Sequence, residues 1–317
     1  MSDAPPLLGS RDMARFVARG FLRFDGLVPD AINRDFLDAV GPAERRDGET
    51  LMQAYGRLIA RSDIPEIRAG VPFEGAFDAA TPLGRLFALP AVRGIVRSLV
   101  GAAPRFDHQF LHVAFPPSAW REGDPPQMSQ HLHQDSTIDP RRDAFDIQLM
   151  YYPHAVGPED GGTRFVPGSH LRIVSEAAIA RYQNVLGQQH MVCPAGTLLV
   201  LHHGIWHGGG INRGTTPRTM YKIRLNPSVR QTRLWDTSDL PADLDAQRPI
   251  FWRRSPEDPE HVHAILARQE PWYENDTGRL ELLARARLWR AMLGDAHADV
   301  DYWLTRVENR PGPAALA

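Results

Sequence analysis

The spacing of apolar residues divides the chain into a helical part and a strand-rich part. In the first hundred residues, positions such as Met13, Phe16 and Val17 recur three to four residues apart, which is the period of an amphipathic helix. Residues 20–24 instead alternate, and this pattern predicts a short strand. The predicted helices cover residues 12–18, a segment that begins at Asp30, and residues 83–100 with a break near Pro90.

The pattern changes at about residue 105, where short apolar or alternating runs are separated by clusters of Gly, Pro and Asp. Such runs are typical of the strands of a β-sandwich or barrel. The predicted strands cover residues 106–115, 145–152, 163–166, 196–201 and 220–225. After Trp235 the chain becomes irregular and proline-rich, and helical patterns return at residues 278–293 and 299–307.

We therefore predict one domain that is mainly β with flanking helices. Its parts are a mainly helical segment over residues 1–104, a catalytic β core over residues 105–230, and an irregular and helical part over residues 231–317. The helical patterns at the end of the chain suit either a cover for the barrel or a contact between two subunits. The pattern leaves a monomer and a homodimer equally open.

The composition bears on which partners, which location and which cysteine or lysine chemistry are to be expected for the protein. The net charge of -2 gives no support for binding to nucleic acid or to an anionic membrane. No run of 18 apolar residues predicts a membrane helix, and residues 1–9 lack the pattern of a signal peptide, so a cytoplasmic location is expected. Cys193 is the only cysteine, which excludes a disulfide framework within the chain, and Lys222 is the only lysine.

Two histidines and an aspartate provide candidate ligands for a metal ion. His133 and Asp135 are two residues apart, and residues two apart on a strand face the same way. His207 follows a strand pattern and stands at the start of a glycine turn. Two imidazoles and one carboxylate on one face of an octahedron are typical of Fe(II) oxygenases, because they leave three positions open for a 2-oxo acid and O2.

Arg218 adds a candidate anchor for the second carboxylate of a 2-oxo diacid. Residues 212–217 have the composition of a turn, so Arg218 is expected to begin the next antiparallel strand, close to the metal. A guanidinium grips a carboxylate through two hydrogen bonds, which lysine does less well. The combination of His133, Asp135, His207 and Arg218 therefore predicts an enzyme that uses 2-oxoglutarate and O2.

Other assignments stay open on these residues alone. His131 lies on the same predicted strand face as His133, and His203 lies four residues before His207, so either offers an alternative ligand. A hydrolase or isomerase can use the same triad with zinc or another divalent ion, and it would not need Arg218. A third hypothesis is a β-barrel protein without catalytic activity that binds a ligand or a partner.

Four stretches of the chain resemble the phytanoyl-CoA dioxygenase family of Fe(II)/2-oxoglutarate-dependent oxygenases. They lie within residues 16–226 and comprise residues 16–28, the H-x-D motif at 133–135, the segment around Pro-Gly-Ser-His at 160–170, and residues 207–218. The Pro-Gly-Ser-His segment is the most specific to the family. The resemblance implies a double-stranded β-helix, also called a jelly-roll or cupin-like core.

The resemblance also implies roles for individual residues. His133, Asp135 and His207 match the iron ligands, and Arg218 matches the 2-oxoglutarate anchor. Residues Gln109 and Gln148 fall where relatives often place polar co-substrate contacts.

There are departures from the family pattern. Gly209 stands where many relatives have serine, and Asp160 replaces the usual asparagine. No lysine is expected at the keto-acid carboxylate, where some relatives have one.

The reaction implied is oxidation, most simply hydroxylation, of a small and partly apolar molecule with release of succinate and CO2.

Overall fold

A computed structural model of the protein describes residues 5–62, 64–135, 146–171, 179, 184–228 and 235–239. The helices predicted at residues 278–293 and 299–307 lie outside the described residues. Most of the predicted C-terminal part, residues 231–317, lies outside them as well. The assignment of the whole chain to one domain therefore stays a prediction.

Five helices precede the strand-rich part. They are α1 (Ser10–Arg19), α2 (Asp30–Val40), α3 (Leu51–Arg61), α4 (Pro82–Ala88) and α5 (Pro90–Val100). Helix α1 ends where Gly20 takes the left-handed conformation, with a φ of 75°. Pro90 is the first residue of α5 and lacks the amide that a continuous helix would need, which explains the predicted break. None of the helices within the described ranges has the length and apolar character required to cross a bilayer.

Helix α3 is the α-helix of the described residues that the sequence pattern did not predict; the short strands at Gln189–His190 and His207–Gly209 were not predicted either. A capping box between Thr50 and Gln53 starts α3: the Thr50 hydroxyl accepts from the Gln53 amide, and the Gln53 side chain accepts from the Thr50 amide. Only Ala54 and Leu58 are buried along it, whereas Met52 is exposed. Its apolar face is therefore too narrow to stand out in the pattern.

In the described part of the chain, eight strands form two antiparallel sheets. The strands are β1 (Phe21–Phe24), β2 (Arg105–Ala114), β3 (Ile147–Tyr152), β4 (Thr163–Phe165), β5 (Gln189–His190), β6 (Thr197–His202), β7 (His207–Gly209) and β8 (Arg218–Asn226). The large sheet has the order β1-β6-β3-β8-β2, and the small sheet has the order β5-β4-β7. All five predicted core strands are present, so the expectation of a mainly β protein with flanking helices is confirmed.

The chain passes repeatedly between the two sheets. From β3 onward it enters the small sheet at β4 and β5, returns at β6, crosses again at β7 and returns at β8. This winding is the double-stranded β-helix. The inner faces of the sheets pack together through side chains such as Met150 and Leu199 from the large sheet and Phe165 from the small one.

The other face of the large sheet is covered by the helices. Leu149 and Ile223 belong to one apolar cluster with Phe36 of α2 and Leu86 of α4. Each strand of the large sheet therefore alternates between an inner side, which faces the small sheet, and an outer side, which faces the helices. This alternation decides which side chains reach the candidate site.

Candidate metal centre

The segment that carries His133 is attached to the beginning of β7. The amide of His133 donates to the carbonyl of His207 and the amide of His207 donates to the carbonyl of His133, both at 3.0 Å. A side chain at Gly208 would place its Cβ 2.7 Å from the carbonyl oxygen of His131, so only glycine permits this close approach. Residues 131–135 were predicted to form a strand. In the structure they form no continuous strand, and His133 makes an isolated β-bridge to His207.

His133, Asp135 and His207 converge on one point. Their potential ligand atoms all lie within 4.8 Å of one another. The Nε2 atom of His133 is 3.2 Å from Oδ1 of Asp135, and the Nε2 atom of His207 is 3.7 Å from Oδ2. Among the described residues, no other group of three or more His, Cys, Asp or Glu side chains is placed to hold a metal ion.

Both imidazoles are oriented by backbone carbonyls. The Nδ1 atom of His133 is 3.0 Å from the carbonyl oxygen of His131, and the Nδ1 atom of His207 is 3.0 Å from that of Ile205. A carbonyl only accepts hydrogen bonds, so each Nδ1 carries the proton in the neutral ring. Each Nε2 is then left with a lone pair directed at the shared point, as a metal ligand requires.

The charges of the group favour an ionised Asp135. Burial alone would raise the pKa of Asp135, but the hydrogen bond from His133 and the electrostatic interactions with His207 and Lys222 lower it well below the usual value. Burial lowers the pKa of His207 to about 3. Burial also acts to lower the pKa of His133, but the hydrogen bonds to Asp135 and to the carbonyl of His131, together with the charge of Asp135, outweigh it and raise that pKa. A divalent cation fits this set because it would receive one anionic and two neutral ligands.

Arg218 lies on the inner side of the large sheet, and most of its hydrogen-bonding capacity is unused among the described residues. It begins β8, as predicted, and is 4% exposed. Its Nη2 donates to the carbonyl of Gly161 at 2.9 Å, whereas Nε and Nη1 have no hydrogen-bond partner among the described residues. A buried guanidinium with two free donors is costly unless a ligand pairs with it. The donor set therefore fits a carboxylate.

A cavity gives this guanidinium room for such a ligand. The cavity has a volume of about 360 Å³, and Arg218 lines it together with His112, Trp120 and Gly209. At Gly209 an added Cβ would come no closer than 3.7 Å to any atom, so the site has space where many relatives carry serine. The cavity and the free donors together give a small anion room next to Arg218, although none of the three triad residues lines the cavity itself.

The two glutamines named from the resemblance fall on opposite sides of the large sheet. Gln148 lies on the inner side, opposite Arg224 in the register, and neither polar atom of its buried amide has a partner among the described residues. Gln109 lies opposite Ile223 on the outer side, where it accepts from the hydroxyl of Tyr221 and donates to the carbonyl of Pro65. The structure brings Gln148 towards the metal group and does not bring Gln109 there.

Lys222 contacts the metal group, a role that was not assigned to it from the sequence. It is buried on the inner side of β8, and its Nζ contacts Oδ2 of Asp135. The sequence already contained a signal for it. Lys222 is four residues after Arg218, and residues separated by an even number in one strand share a face.

Arg224 continues the same row and fixes the backbone of Asp135. Its Nη1 donates to the carbonyl of Asp135, and its Nε lies 2.9 Å from a carboxylate oxygen of Asp107 and 3.0 Å from one of Asp146. The Asp146 carboxylate also contacts His203, whose carbonyl accepts from the amide of Asp135 at 3.4 Å. Both polar groups of the Asp135 backbone are therefore held. Sequence reasoning missed Arg224 and Asp146 in this role.

The remaining histidines of the motifs are neighbours of the metal group. His131 contributes its carbonyl rather than its ring, and His203 contacts Asp146. The ring of His202 accepts at Nδ1 from the amide of Gly204 at 3.0 Å. Neither His131 nor His203 replaces a member of the triad within the part of the chain that the structure describes.

The Pro-Gly-Ser-His segment forms a turn. The Ser169 hydroxyl donates to the carbonyl of Val166 at 2.6 Å and accepts from the amide of Trp206 at 2.8 Å. The ring of His170 contacts the carbonyl of Val17 at 3.0 Å. These bonds tie the turn to α1 and to the loop before β7.

Comparison with solved structures gives distant similarities. The non-heme alpha ketoglutarate dependent epimerase SnoN from nogalamycin biosynthesis is 16% identical, with 69% of this chain and 81% of that chain covered and a TM-score of 0.48. HygX from Streptomyces hygroscopicus, with nickel and 2-oxoglutarate bound, is 16% identical over 74% and 94% of the two chains, with a TM-score of 0.46. EctD from S. alaskensis is 17% identical over 72% and 79%, with a TM-score of 0.46.

No curated protein sequence matches the chain significantly. The comparison with family models, in contrast, identifies a family. The model described as phytanoyl-CoA dioxygenase (PhyH) matches residues 18–220, which is more than half of the chain and includes the whole triad and Arg218. The chain therefore belongs to the phytanoyl-CoA dioxygenase family.

Proposed function

We propose that the protein is an Fe(II)- and 2-oxoglutarate-dependent dioxygenase. It oxidises, and most simply hydroxylates, an unactivated C–H bond of a small, partly apolar molecule, with release of succinate and CO2. The observation that carries the proposal is that the His133, Asp135 and His207 group contacts the inner side of β8 through Lys222, and that the same side of β8 carries Arg218 with two donors unpartnered among the described residues. A cytoplasmic location and a monomer or homodimer remain predictions.

The triad divides the work of holding the metal. His133 and His207 direct their Nε2 lone pairs at the site, and Asp135 supplies the negative charge. Fe(II) in such a site supplies O2 activation coupled to decarboxylation of the 2-oxo acid. The protein's own share is to fix the ligands, to keep three coordination positions free of side chains and to place the co-substrate.

Arg218 fits the anchor of the distal carboxylate of 2-oxoglutarate. One of its free donors, Nε or Nη1, can form the two parallel hydrogen bonds that a carboxylate accepts together with the second hydrogen of Nη2, whose first hydrogen bonds to the carbonyl of Gly161. The amide of Gln148 is also without a partner among the described residues, and it can donate to a polar group of the co-substrate. We propose both as co-substrate contacts, with Arg218 as the principal one.

A hydrolase or isomerase that uses the same triad has no need of a buried arginine with two free donors. Arg218 therefore separates the two functions experimentally. The first measurement is the visible charge-transfer band of the Fe(II)–2-oxoglutarate chelate, recorded without oxygen. We expect the band in the wild-type protein and, for Arg218→Ala, a 2-oxoglutarate dissociation constant about 100-fold higher, because a charge-assisted bidentate pair is lost.

The matched control is Arg93→Ala, which removes an exposed arginine whose only carboxylate contact among the described residues is with Glu74. This variant should bind 2-oxoglutarate as the wild type does. A second measurement is succinate release in air, with and without candidate small molecules. Absence of the band, or metal-dependent turnover that survives Arg218→Ala, would reject the oxygenase.

A further inference from the structure

Lys222 is a buried cation in the middle of the inner face. It is 6% exposed, and its Nζ contacts Oδ2 of Asp135. Asp135 is its only carboxylate partner among the described residues. That carboxylate is also a proposed metal ligand, so a bound divalent ion takes up much of the negative charge that now faces the ammonium.

The other two cations of the row do not share this situation. Arg224 lies against two carboxylates, those of Asp107 and Asp146. Arg218 has the free donors that suit the distal carboxylate of the co-substrate. Lys222 alone lacks a counter-charge of its own once the metal is bound.

The contacts, rather than the overall sum of charges, decide which groups are paired in the loaded site. The carboxylates of Asp107 and Asp146 are held by Arg224, and the carboxylate of Asp135 is shared with the metal. The ammonium of Lys222 then carries a surplus charge, because no carboxylate of its own faces it among the described residues. Buried charges in proteins are paired, so the loaded site has a place for one more anionic group.

The surface beside Lys222 is apolar and open. In the register of β2 and β8, Phe110 stands directly opposite Lys222 and therefore on the same face. Phe110 is 50% exposed, which makes it one of the few large apolar side chains in the described part of the chain that reach solvent. Its ring lies between those of His108 and His112, at centroid distances of 5.2 and 5.8 Å.

We propose that Lys222 and Phe110 recognise the primary substrate as a small monoanion that carries an apolar group beside its carboxylate. The ammonium pairs with the carboxylate, and the phenyl ring contacts the apolar part. This inference rests on the proposed function, because the surplus charge arises only in the iron- and 2-oxoglutarate-loaded protein. A carboxylate at Lys222 has a second possible source, the keto-acid end of 2-oxoglutarate itself, and the test distinguishes the two.

The test uses the full-length protein loaded with Fe(II) and 2-oxoglutarate without oxygen. Three probes of the same shape differ in charge: 3-phenylpropionate, 3-phenylpropanamide and 3-phenylpropylammonium. Their binding is followed by the change in the charge-transfer band and by calorimetry. We expect the carboxylate to bind about 10-fold or more tighter than the amide, as for a hydrogen bond to a charged group, and the ammonium to bind weakest.

Variants assign this preference to the two residues. Lys222→Gln should abolish the preference for the carboxylate while the 2-oxoglutarate dissociation constant changes by less than about threefold. Lys222→Arg, which keeps the charge, should retain the preference. Phe110→Ala should weaken the carboxylate and the amide by similar factors, because it removes apolar contact and no charge.

Several results would overturn the inference. Equal affinities for carboxylate and amide would do so, and so would failure of the carboxylate probe to bind at millimolar concentration. A 2-oxoglutarate dissociation constant raised about 10-fold in Lys222→Gln, with the probe preference unchanged, would assign Lys222 to the co-substrate instead. Absence of the charge-transfer band in the wild-type protein would reject the proposed function itself.

Discussion

The two faces of strand β8 differ in the side chains they carry, although these residues alternate along one short segment. The inner residues are Arg218, Met220, Lys222 and Arg224, and the outer residues are Thr219, Tyr221, Ile223 and Leu225. The outer side is an ordinary core face that packs against helices. The inner side carries three cations, all of them largely buried.

The outer face satisfies its polar groups within the described structure. The hydroxyl of Tyr151 donates to the side chain of Asn33 at 2.6 Å, and that of Tyr221 donates to Gln109. The ring of Phe36 packs edge-on against both tyrosines, at centroid distances of 5.4 and 6.1 Å. Apolar contact and internal hydrogen bonds account for this face without any ligand.

The inner face leaves polar atoms unpaired in the part of the chain that the structure describes. Arg218, Gln148 and His112 each have at least one buried polar atom without a hydrogen-bond partner. Folded proteins avoid such groups because each one costs free energy. These three residues lie on the inner side of the large sheet, where Lys222 contacts the triad, so we expect ligands on that side.

The largest expected effect that tests this difference is loss of the metal in Asp135→Ala. The variant removes the only negative ligand, so the dissociation constant for Ni(II), used as a stable substitute for Fe(II), should rise by at least about 100-fold. Isothermal titration measures it. Asp47→Ala removes an exposed carboxylate and should bind Ni(II) normally. Unchanged binding in Asp135→Ala would place the metal elsewhere.

The second prediction concerns the pH dependence of stability. Burial, aided by the charges of Lys222 and Arg218, lowers the pKa of His112 to about 3. In the unfolded chain its value is close to 6.5, so the metal-free protein should lose stability as the pH falls below 6.5 towards 3. One such histidine contributes a slope of about 1.4 kcal/mol per pH unit.

The measurement is urea unfolding of the metal-free protein between pH 7 and pH 5. His112→Phe cannot take up a proton, so its free energy of unfolding should depend less steeply on pH than that of the wild type. His190→Phe replaces an exposed histidine for which no comparable burial exists and should retain the wild-type slope. Identical slopes for wild type and His112→Phe would show that His112 titrates normally in the folded protein.

The third prediction tests Arg224 as a positioning residue. Lysine at this position keeps the charge but cannot contact Asp107, Asp146 and the carbonyl of Asp135 together. The Ni(II) dissociation constant of Arg224→Lys should therefore rise about 10-fold. The visible spectrum of the Co(II)-loaded protein should shift as well, because the orientation of the Asp135 ligand is no longer fixed.

Arg23→Lys serves as the matched control, since Arg23 pairs with Asp25 away from the metal group. It should leave both readouts unchanged. If Arg224→Lys retained wild-type metal affinity and the same Co(II) spectrum, the contacts of Arg224 would have no influence on the metal site.

The smallest expected effect comes from the outer face. Tyr221→Phe removes the hydroxyl that donates to Gln109 and should lower the free energy of unfolding by about 1 kcal/mol. Affinities for Ni(II) and 2-oxoglutarate should not change, because the hydroxyl faces the helices. A clear loss of 2-oxoglutarate affinity would break the distinction between the two faces and would restore Gln109 as a co-substrate contact.

The sequence by itself determined the elements and the order of the chemistry along the chain. Helical and alternating patterns are local, so α1, α2, α4, α5 and the core strands were predictable from neighbouring residues. The H-x-D motif, the distal histidine and Arg218 were also visible, since each stands in a recognisable strand or turn context. The narrow apolar face of α3 gave no comparable local signal.

Only the tertiary structure decided which side chains meet. Lys222 reaches Asp135 across 87 residues of sequence, and Arg224 reaches the same residue across 89. The register between β2 and β8 placed Gln109 on the outer face. A strand's own pattern shows that its residues alternate, but which side faces the metal depends on the partner strand and its register, and these are set by contacts distant in the chain.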